Sequence, residues 1–240
     1  MNNPFDQYEK IFCINLKERE DRWNQCVLNF DKYEIKNYER FNGYKISADH
    51  FDKKRRGQIG CALSFYKCFE KIKTDKLQSV LILEDDFNFT LDKEDLFKKI
   101  NICISELPNN WDSLYFGANL TDEYGIDPVE KYSANLHRLK SAHCLHSVSF
   151  SYQGVEKIFD LLGYEKAGFD SLIANYENMD VFMAKIYQKQ TNTFISNIIL
   201  ANQTPSYSSI ENVVFDYNSW IEMNFERFIK KNVRGKILSL

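Results

Sequence analysis

Short apolar runs alternate along the chain with segments whose apolar residues recur at helical spacing. The run at residues 80–83 is apolar at every position, which is typical of a strand covered on both faces. Similar short runs predict further strands at residues 10–16, 38–46, 111–117, 147–151 and 193–200. A period near 3.6 predicts helices within residues 21–30, 59–72, 96–107, 153–162, 181–187 and 215–229.

This alternation predicts an α/β fold with a mainly parallel sheet flanked by helices. We find no internal repeat and no low-complexity linker, so residues 1–212 are expected to form one domain. Residues 213–240 are expected to form a helical tail that packs on this domain or on a partner chain, which would make a homodimer. Residues 118–137 are polar and irregular and predict a long surface loop of the kind that often closes over a site.

Three carboxylates follow the central apolar run directly: Glu84, Asp85 and Asp86. The carboxyl ends of strands are where open α/β sheets bind their ligands. A cation among the three side chains would offset their mutual repulsion. On these residues alone, a metal site and a solvated acidic turn explain the pattern equally well.

A second polar cluster follows the first predicted strand and contains Asn15, Arg19, Asp21 and Arg22. In an α/β sheet this is a position where a nucleotide would bind. A solvated first turn of the following helix explains the same residues about as well.

Gly57 and Gly60 stand at the expected start of the helix over residues 59–72, where main-chain N–H groups would face an anion. Their spacing matches neither a dinucleotide fingerprint nor a P-loop. The basic run at residues 53–56 is expected to be a solvated loop, although it would also attract an anionic ligand. Asp180 precedes another expected helix, as an N-cap does.

Composition excludes some classes of function. A formal net charge of −3 argues against a general nucleic-acid binder. The six cysteines form no C-x-x-C pair and lie in apolar contexts, which favours reduced, buried thiols. We see neither a basic-then-apolar leader nor a run of membrane-spanning length, so we expect a cytoplasmic protein with no membrane span. Strand alternation would place His143 opposite Cys144 and His146, so packing is preferred to a zinc site for these residues.

Several segments follow one another in an order that carries more information than any of them alone. They are INLKEREDR from Ile14, GQIGCALS from Gly57, LILEDD from Leu81, WDSLYFG from Trp111, HSVSFSYQG from His146, Met179-Asp180, and Gln203 with Ser208 and Ile210. In that order they resemble the motifs of the family 25 glycosyltransferases. Those motifs are I-N-L-x-x-R-x-D-R, G-E-I-G-C-A-L-S-H, V-L-E-D-D, W-D-x-x-x-x-G, H-A-Y-x-x-S-x-x-G, V-D, and a terminal Q followed by S-D-I. That family includes lipooligosaccharide galactosyltransferases and collagen hydroxylysine galactosyltransferases. The chain departs from these motifs at Gln58, Phe65, Val148 and Ser209, where the family has Glu, His, Tyr and Asp.

The resemblance implies a GT-A fold and transfer of a hexose, galactose or glucose, from a UDP-sugar to a glycan or protein hydroxyl with inversion. The chemistry that it implies fits Mn²⁺ (or Mg²⁺) held by Glu84 and Asp86, with Asp86 in catalysis. Asp180 is hypothesised to be the base or an acceptor-binding residue, and a structural N-cap explains it equally well. His146 and Gln203 are expected on the acceptor side. The residues expected to bind the nucleotide sugar are Asn15, Arg19, Arg22, Gly57, Gln58, Gly60, Ser64 and Asp85.

Two other interpretations stay open. A family 25-like domain that has lost catalysis would serve as a binding or assembly module. A metal-dependent phosphohydrolase is disfavoured, because only one acidic cluster is evident and two-metal sites usually need more ligands.

Overall fold

The structure, a computed structural model, describes residues 2–47, 51–163, 168–207 and 214–230. Its strands are, in chain order, β1 (Lys10–Asn15), β2 (Tyr38–Asn42), β3 (Ser79–Glu84), β4 (Phe87–Phe89), β5 (Ser113–Tyr115), β6 (Asn119–Leu120), β7 (Val129–Lys131), β8 (Leu136–Leu139), β9 (Ala142–His143), β10 (Ser147–Ser151), β11 (Thr193–Ser196), β12 (Ala201–Gln203), β13 (Ser206–Tyr207) and β14 (Val214–Phe215). Its α-helices are α1 (Glu20–Lys32), α2 (Lys53–Asp75), α3 (Lys93–Glu106), α4 (Tyr152–Leu162), α5 (Gly168–Tyr176), α6 (Met179–Phe182), α7 (Gln188–Gln190) and α8 (Asn218–Phe225). A 3-10 turn (Pro4–Gln7) precedes β1, and π-helical turns join α6 to α7 (Met183–Tyr187) and extend α8 (Glu226–Lys230).

Eight strands form one sheet in the order β2-β1-β3-β10-β5-β11-β8-β7. Six of them run in one direction, and β8 and β10 run against them. The predicted α/β class with a mainly parallel sheet flanked by helices is confirmed. Because β10 is antiparallel to β3, the start of β10 lies beside the carboxyl end of β3, with Ser147 opposite Leu83.

The apolar run of β3 is buried because helices cover both faces of the sheet. Val80 and Ile82 belong to a core shared with α2 and α4, whereas Leu81 and Leu83 belong to a core shared with α1 and α3. This division follows from the alternation of side chains along a strand. All four side chains are fully buried, and each contributes roughly 1.5–3 kcal/mol by leaving water.

Several helices begin at capping residues that the sequence supplies. Asp52, Asp92 and Ser151 precede α2, α3 and α4, and each side chain accepts a hydrogen bond from the N–H three residues on, at 2.8, 3.0 and 3.1 Å. Such caps satisfy main-chain donors that the first helical turn leaves without partners.

The start of α2 corrects one prediction. The helix begins at Lys53, so the basic run at residues 53–56 forms its first turn and is not a loop. The cause is the Asp52 cap, which lies five residues before Gly57. The main-chain groups of Gly57 and Gly60 therefore lie inside the helix, and their N–H groups do not face an anion at its start.

Two other boundaries differ from the prediction. Residues 118–137 are not a continuous loop, because they contain β6, β7 and the start of β8, and β7 and β8 complete one edge of the sheet. The strand expected over residues 193–200 ends at Ser196, and the chain then turns into β12, which pairs with β4.

The helix α8 packs on the body of the molecule. Ile221, Phe225 and Ile229 are buried, and Arg227 forms a 2.7 Å ion pair with Asp122. The predicted boundary at residue 212 lies outside the described residues, and a homodimer stays a prediction. None of the helices in residues 2–47, 51–163, 168–207 and 214–230 combines the length and the hydropathy needed to cross a bilayer.

Candidate functional site

The acidic residues lie where the sheet ends, as the sequence predicts. Glu84 is the last residue of β3, and its main-chain N–H donates to the carbonyl of His146 at 3.0 Å. Asp85 and Asp86 form the turn into β4, and the carbonyl of Asp86 accepts a 2.7 Å hydrogen bond from the N–H of Thr204. Strands β3, β10 and β12 thus all hold this turn in place.

Asp85 is held from two sides. Its Oδ1 accepts a 2.6 Å hydrogen bond from Arg22 Nη1, and its Oδ2 accepts a 2.6 Å bond from Asn15 Nδ2. The side chains of Asp85 and Arg22 are 11% and 16% exposed, so this ion pair is largely shielded from solvent. Asp85 therefore connects the acidic turn to the loop between β1 and α1.

Glu84 and Asp86 have protonation equilibria typical of crowded, buried carboxylates. Burial raises the pKa of Asp86 to about 6, with a further contribution from Asp85, while Arg22 and Gln203 oppose the rise. Burial also raises the pKa of Glu84 well above its usual range, helped by the charges of Asp86, Asp180 and Asp85. A cation would stabilise the charged forms of both groups.

Asp180 lies on the same side of the molecule but is not the helix cap that its sequence position suggests. Asn178 is the N-cap of α6, since its Oδ1 accepts a 2.9 Å hydrogen bond from the N–H of Val181. The carboxylate of Asp180 instead accepts a 3.2 Å bond from the N–H of Cys144. Burial raises the pKa of Asp180, and its charge in turn raises the pKa of Glu84.

Gln203 lies on β12 beside the acidic turn. Its Nε2 donates to Asp86 Oδ1 at 3.4 Å, whereas its Oε1 is buried and has no hydrogen-bond partner among the described residues. The main chain of Gln203 pairs with Asn218 at the start of α8, whose side chain both donates and accepts, at 2.8 and 3.2 Å. No local sequence signal marks Asn218 as part of this edge.

His146 is fully buried below the turn. Its Nε2 lies 3.1 Å from the carbonyl of Ala201, so this nitrogen carries the proton. Burial lowers the pKa of His146 to about 4, so the imidazole is neutral at pH 7. The structure thus places the expected acceptor residue in the packing beneath the site.

Arg19 begins the neighbouring α1 and is partly exposed. Its guanidinium forms two hydrogen bonds with Asp21, at 2.9 and 2.8 Å, and it holds the pKa of Asp21 at about 2. The charges of Asp85 and Asp86 also contribute to a raised pKa of Arg19. Arg19 is therefore close enough to the acidic turn to sense its charge.

The residues predicted on α2 have mainly packing contacts. A Cβ on Gly60 would lie 2.6 Å from the carbonyl oxygen of Tyr44, so glycine allows the segment after β2 to approach the helix. Ser64 Oγ donates to the carbonyl of Gly60 at 2.7 Å and accepts from the N–H of Tyr44 at 2.8 Å. Gln58 is half-buried and lies six residues before Ser64 on the same helix.

In the ranges that the structure describes, no group of three His, Cys, Asp or Glu side chains is placed to hold a metal ion. This includes His143, Cys144 and His146, which were candidates for zinc. All six cysteines are free, and the Sγ atoms of Cys13 and Cys26 lie 3.6 Å apart. The predicted manganese site therefore consists of the two carboxylates Glu84 and Asp86, and a bound ligand would have to supply further oxygen atoms.

The motif around Trp111 is structural. Asp112 is fully buried, accepts 2.8 and 2.7 Å hydrogen bonds from Lys157 on α4, and accepts a 2.7 Å bond from the N–H of Asn192. Asp112, at the start of the matched segment, therefore joins the chain before β5 to α4 and to the turn before β11.

The sequence of this chain is similar to the sequences of known glycosyltransferases. A sequence model described as "Glycosyltransferase family 25 (LPS biosynthesis protein)" matches residues 8–183. Procollagen galactosyltransferase 2 of Homo sapiens is 24% identical over 204 residues, covering 76% of this chain and 31% of that protein. A glycosyltransferase 25 family member of Aedes aegypti is 30% identical over 135 residues, covering 47% of this chain and 22% of that protein.

The chain thus spans about a third or less of the length of these two relatives. Among solved structures, a glycosyltransferase involved in the glycosylation of the major capsid of PBCV-1 is similar with a TM-score of 0.37 and 10% identity, over 89% of this chain and 98% of that one.

Proposed function

The chain belongs to glycosyltransferase family 25, and on that premise we propose that it transfers a hexose from a nucleoside diphosphate sugar to a hydroxyl acceptor, with inversion at the anomeric carbon. The proposed donor is a UDP-hexose, with galactose or glucose as the sugar, and the acceptor is a glycan or protein hydroxyl. The observation that carries the proposal is the pair Glu84 and Asp86, half-buried at and just after the carboxyl end of β3, where desolvation raises the pKa of both.

We propose that Glu84 and Asp86 hold a divalent cation, Mn²⁺ or Mg²⁺. Two features of the site fit it. The carboxylates are hard oxygen ligands whose charge is costly without a cation, and the buried Oε1 of Gln203 has no hydrogen-bond partner among the described residues. When bound, the cation offsets negative charge on the departing diphosphate, whose oxygens complete its coordination.

On the donor side, the loop between β1 and α1 supplies the positive charge. Arg19 is partly exposed beside the turn and is our proposed partner for the diphosphate. Arg22 and Asn15 both bond Asp85, so we propose that these three residues shape the donor site from beneath.

Asp180 is the proposed base. The acceptor oxygen attacks the anomeric carbon while its proton passes to the Asp180 carboxylate, and the bond from the anomeric carbon to the diphosphate oxygen breaks. A raised pKa favours this role, because it brings the proton affinity of the carboxylate closer to neutral pH. The alternative N-cap role belongs to Asn178.

The test measures UDP release from UDP-galactose and UDP-glucose with Mn²⁺, with and without hydroxyl acceptors. Asp86→Asn should abolish Mn²⁺-dependent turnover, and Asp180→Asn should lower the transfer rate by roughly 10²–10⁴-fold while leaving donor binding intact. Glu130→Gln, on β7 and paired with Lys140, is the matched control and should be fully active.

Normal transfer by Asp180→Asn would contradict the base assignment. The absence of both turnover and metal-dependent nucleotide binding in the unmodified chain would instead support a binding or assembly module that has lost catalysis.

A further inference from the structure

Arg40, on β2, belongs to none of the matched motifs, yet its side chain organises the loop between β1 and α1. Its Nε donates to Asn15 Oδ1 at 2.9 Å, its Nη1 bonds Glu20 Oε1 at 2.7 Å, and its Nη2 bonds the carbonyl of Lys17 at 3.2 Å. The guanidinium also lies 5.1 Å from the centre of the Trp23 ring. One side chain thus holds the loop that carries Arg19 and leads into Arg22.

The contact with Asn15 determines which way its amide points. Asn15 Nδ2 donates to Asp85 Oδ2 at 2.6 Å and to the carbonyl of Arg19 at 3.2 Å, and both of these atoms accept only. If the amide were flipped, Oδ1 would face the Asp85 carboxylate and Nδ2 would face the Arg40 Nε–H. Arg40 therefore supports, from the Oδ1 side, the orientation that the two acceptors on Nδ2 also require.

This orientation matters because Asp85 has one donor for each carboxylate oxygen. Arg22 holds Oδ1 and Asn15 holds Oδ2, so rotation of the Asp85 side chain would break at least one short hydrogen bond. Asp85 lies between the two carboxylates of the proposed metal site, Glu84 and Asp86. A loosened Asp85 would move the turn that positions both.

We propose that Arg40 is a positioning residue for the donor site, which acts through Asn15 and Asp85 to hold the acidic turn in its working geometry. The catalytic part of this proposal rests on the proposed function. The exposed pair with Glu20 contributes little, because 61% of the Glu20 side chain is exposed and ion pairs of this kind are weak. The proposed effect of Arg40 on the acidic turn passes through its bond to Asn15, while its bond to the Lys17 carbonyl holds the loop.

A double-mutant cycle on donor kcat/KM tests the pathway. Arg40→Met and Asn15→Ala should each lower kcat/KM by roughly 10- to 100-fold, as loss of a residue that orients a ligand does. The kcat/KM of the double variant should be no lower than that of the less active single variant, since both changes break the same chain of contacts. Multiplied losses in the double variant would overturn the proposal.

Arg138→Met is the matched control, because Arg138 also lies on a strand and donates to an asparagine, Asn192 Oδ1, at 2.6 Å, away from the acidic turn. It should leave the donor KM and kcat unchanged. Arg40→Lys retains one donor and should recover part of the activity, which a loss caused by unfolding would not allow. Equal losses in Arg40→Lys and Arg40→Met would contradict the role of the Asn15 contact if both melt at the same temperature.

The side-chain amide of Asn15 provides a readout that does not need turnover. With ¹⁵N-labelled asparagine, its N–H₂ signal should exchange slowly in the unmodified protein and rapidly in Arg40→Met. An unchanged signal would overturn the positioning role, even in an active enzyme. If the unmodified protein turns over none of the UDP-hexoses, the proposed function is overturned. If the Asn15 signal nevertheless changes in Arg40→Met, the positioning of Asn15 by Arg40 still holds.

Discussion

Asp85 and Asp86 are neighbours in the chain but have different surroundings. Asp85 is held by Arg22 and Asn15, whereas the described partners of the Asp86 carboxylate, Arg22 and Gln203, lie at 3.4 Å. Burial raises the pKa of Asp86 to about 6, and these two long contacts oppose the rise. A carboxylate with weak internal partners is available to a cation, and one with two short hydrogen bonds is not.

His146 makes the stability of the protein depend on pH. In the unfolded state the imidazole of His146 takes up a proton near pH 6.5, but in the folded state the buried imidazole does so only near pH 4. The free energy of unfolding therefore has its full value, as far as His146 is concerned, above pH 6.5. It falls as the pH falls, by about 3 kcal/mol at pH 4.

Urea unfolding from pH 7 to 4 measures the loss. His146→Gln should show a smaller slope over this range, because glutamine keeps a donor for the Ala201 carbonyl but does not titrate. Identical slopes in the two proteins would exclude His146 as the source.

Gly117 is required by a close main-chain approach. A Cβ at this position would lie 1.9 Å from the carbonyl oxygen of Ala201. Gly117→Ala should therefore destabilise the protein by about 1–3 kcal/mol or more, because the obstacle is backbone and cannot turn away. Denaturant unfolding measures the change.

Gly163→Ala is the comparison for Gly117→Ala. Among the residues that the structure describes, its Cβ would meet nothing within 4 Å, and the left-handed backbone, with φ of +73°, opposes the change. We expect a loss of about 1–2 kcal/mol there. A smaller loss for Gly117→Ala than for Gly163→Ala would argue against the clash.

At the level of elements, α8 is joined to the proposed site and not only to the core. Asn218, its first residue, forms two hydrogen bonds with the main chain of Gln203, and the Gln203 side chain reaches Asp86. Asn218→Ala should lower stability by about 1–2 kcal/mol and lower the rate of transfer several-fold.

Ser219→Ala is the control for this change, because Ser219 is exposed and its Oγ donates to Asp216 at the same helix start. Parallel assays of melting and UDP release compare the two. Full activity of a destabilised Asn218→Ala protein would show that α8 supports the fold alone.

The elements also show which features the sequence could and could not predict. The strand of residues 80–83 was predicted well, because a continuous apolar run has few other uses. The start of α2 was predicted wrongly, because glycines were taken as the boundary while the capping Asp52 was passed over. For Asp180 the sequence left a cap and a base or acceptor-binding role open, and the structure gives the cap to Asn178.

At the level of the whole molecule, the proposed site draws on residues far apart in the chain. Asn15, Glu84 and Gln203 lie at one edge of the sheet because β1 and β3 are parallel neighbours and β12 pairs with β4. Asp180, on α6, is joined to this edge through the N–H of Cys144, which lies just before β10 beside β3. The family match ends at residue 183, before Gln203 and Asn218. The site is therefore larger than the segment that identifies the family.

The sequence by itself determined the α/β class, the acidic end of β3 and the family, because hydrophobic periodicity and ordered motifs are local properties of the chain. Only the tertiary structure decided that the Asp85 carboxylate is bonded to Arg22 and Asn15 and that His146 is buried. It also decided that Arg40 and Asn218 form hydrogen bonds with residues at the carboxyl edge of the sheet. These facts depend on strand order and side-chain packing. They bring together residues that no local spacing relates.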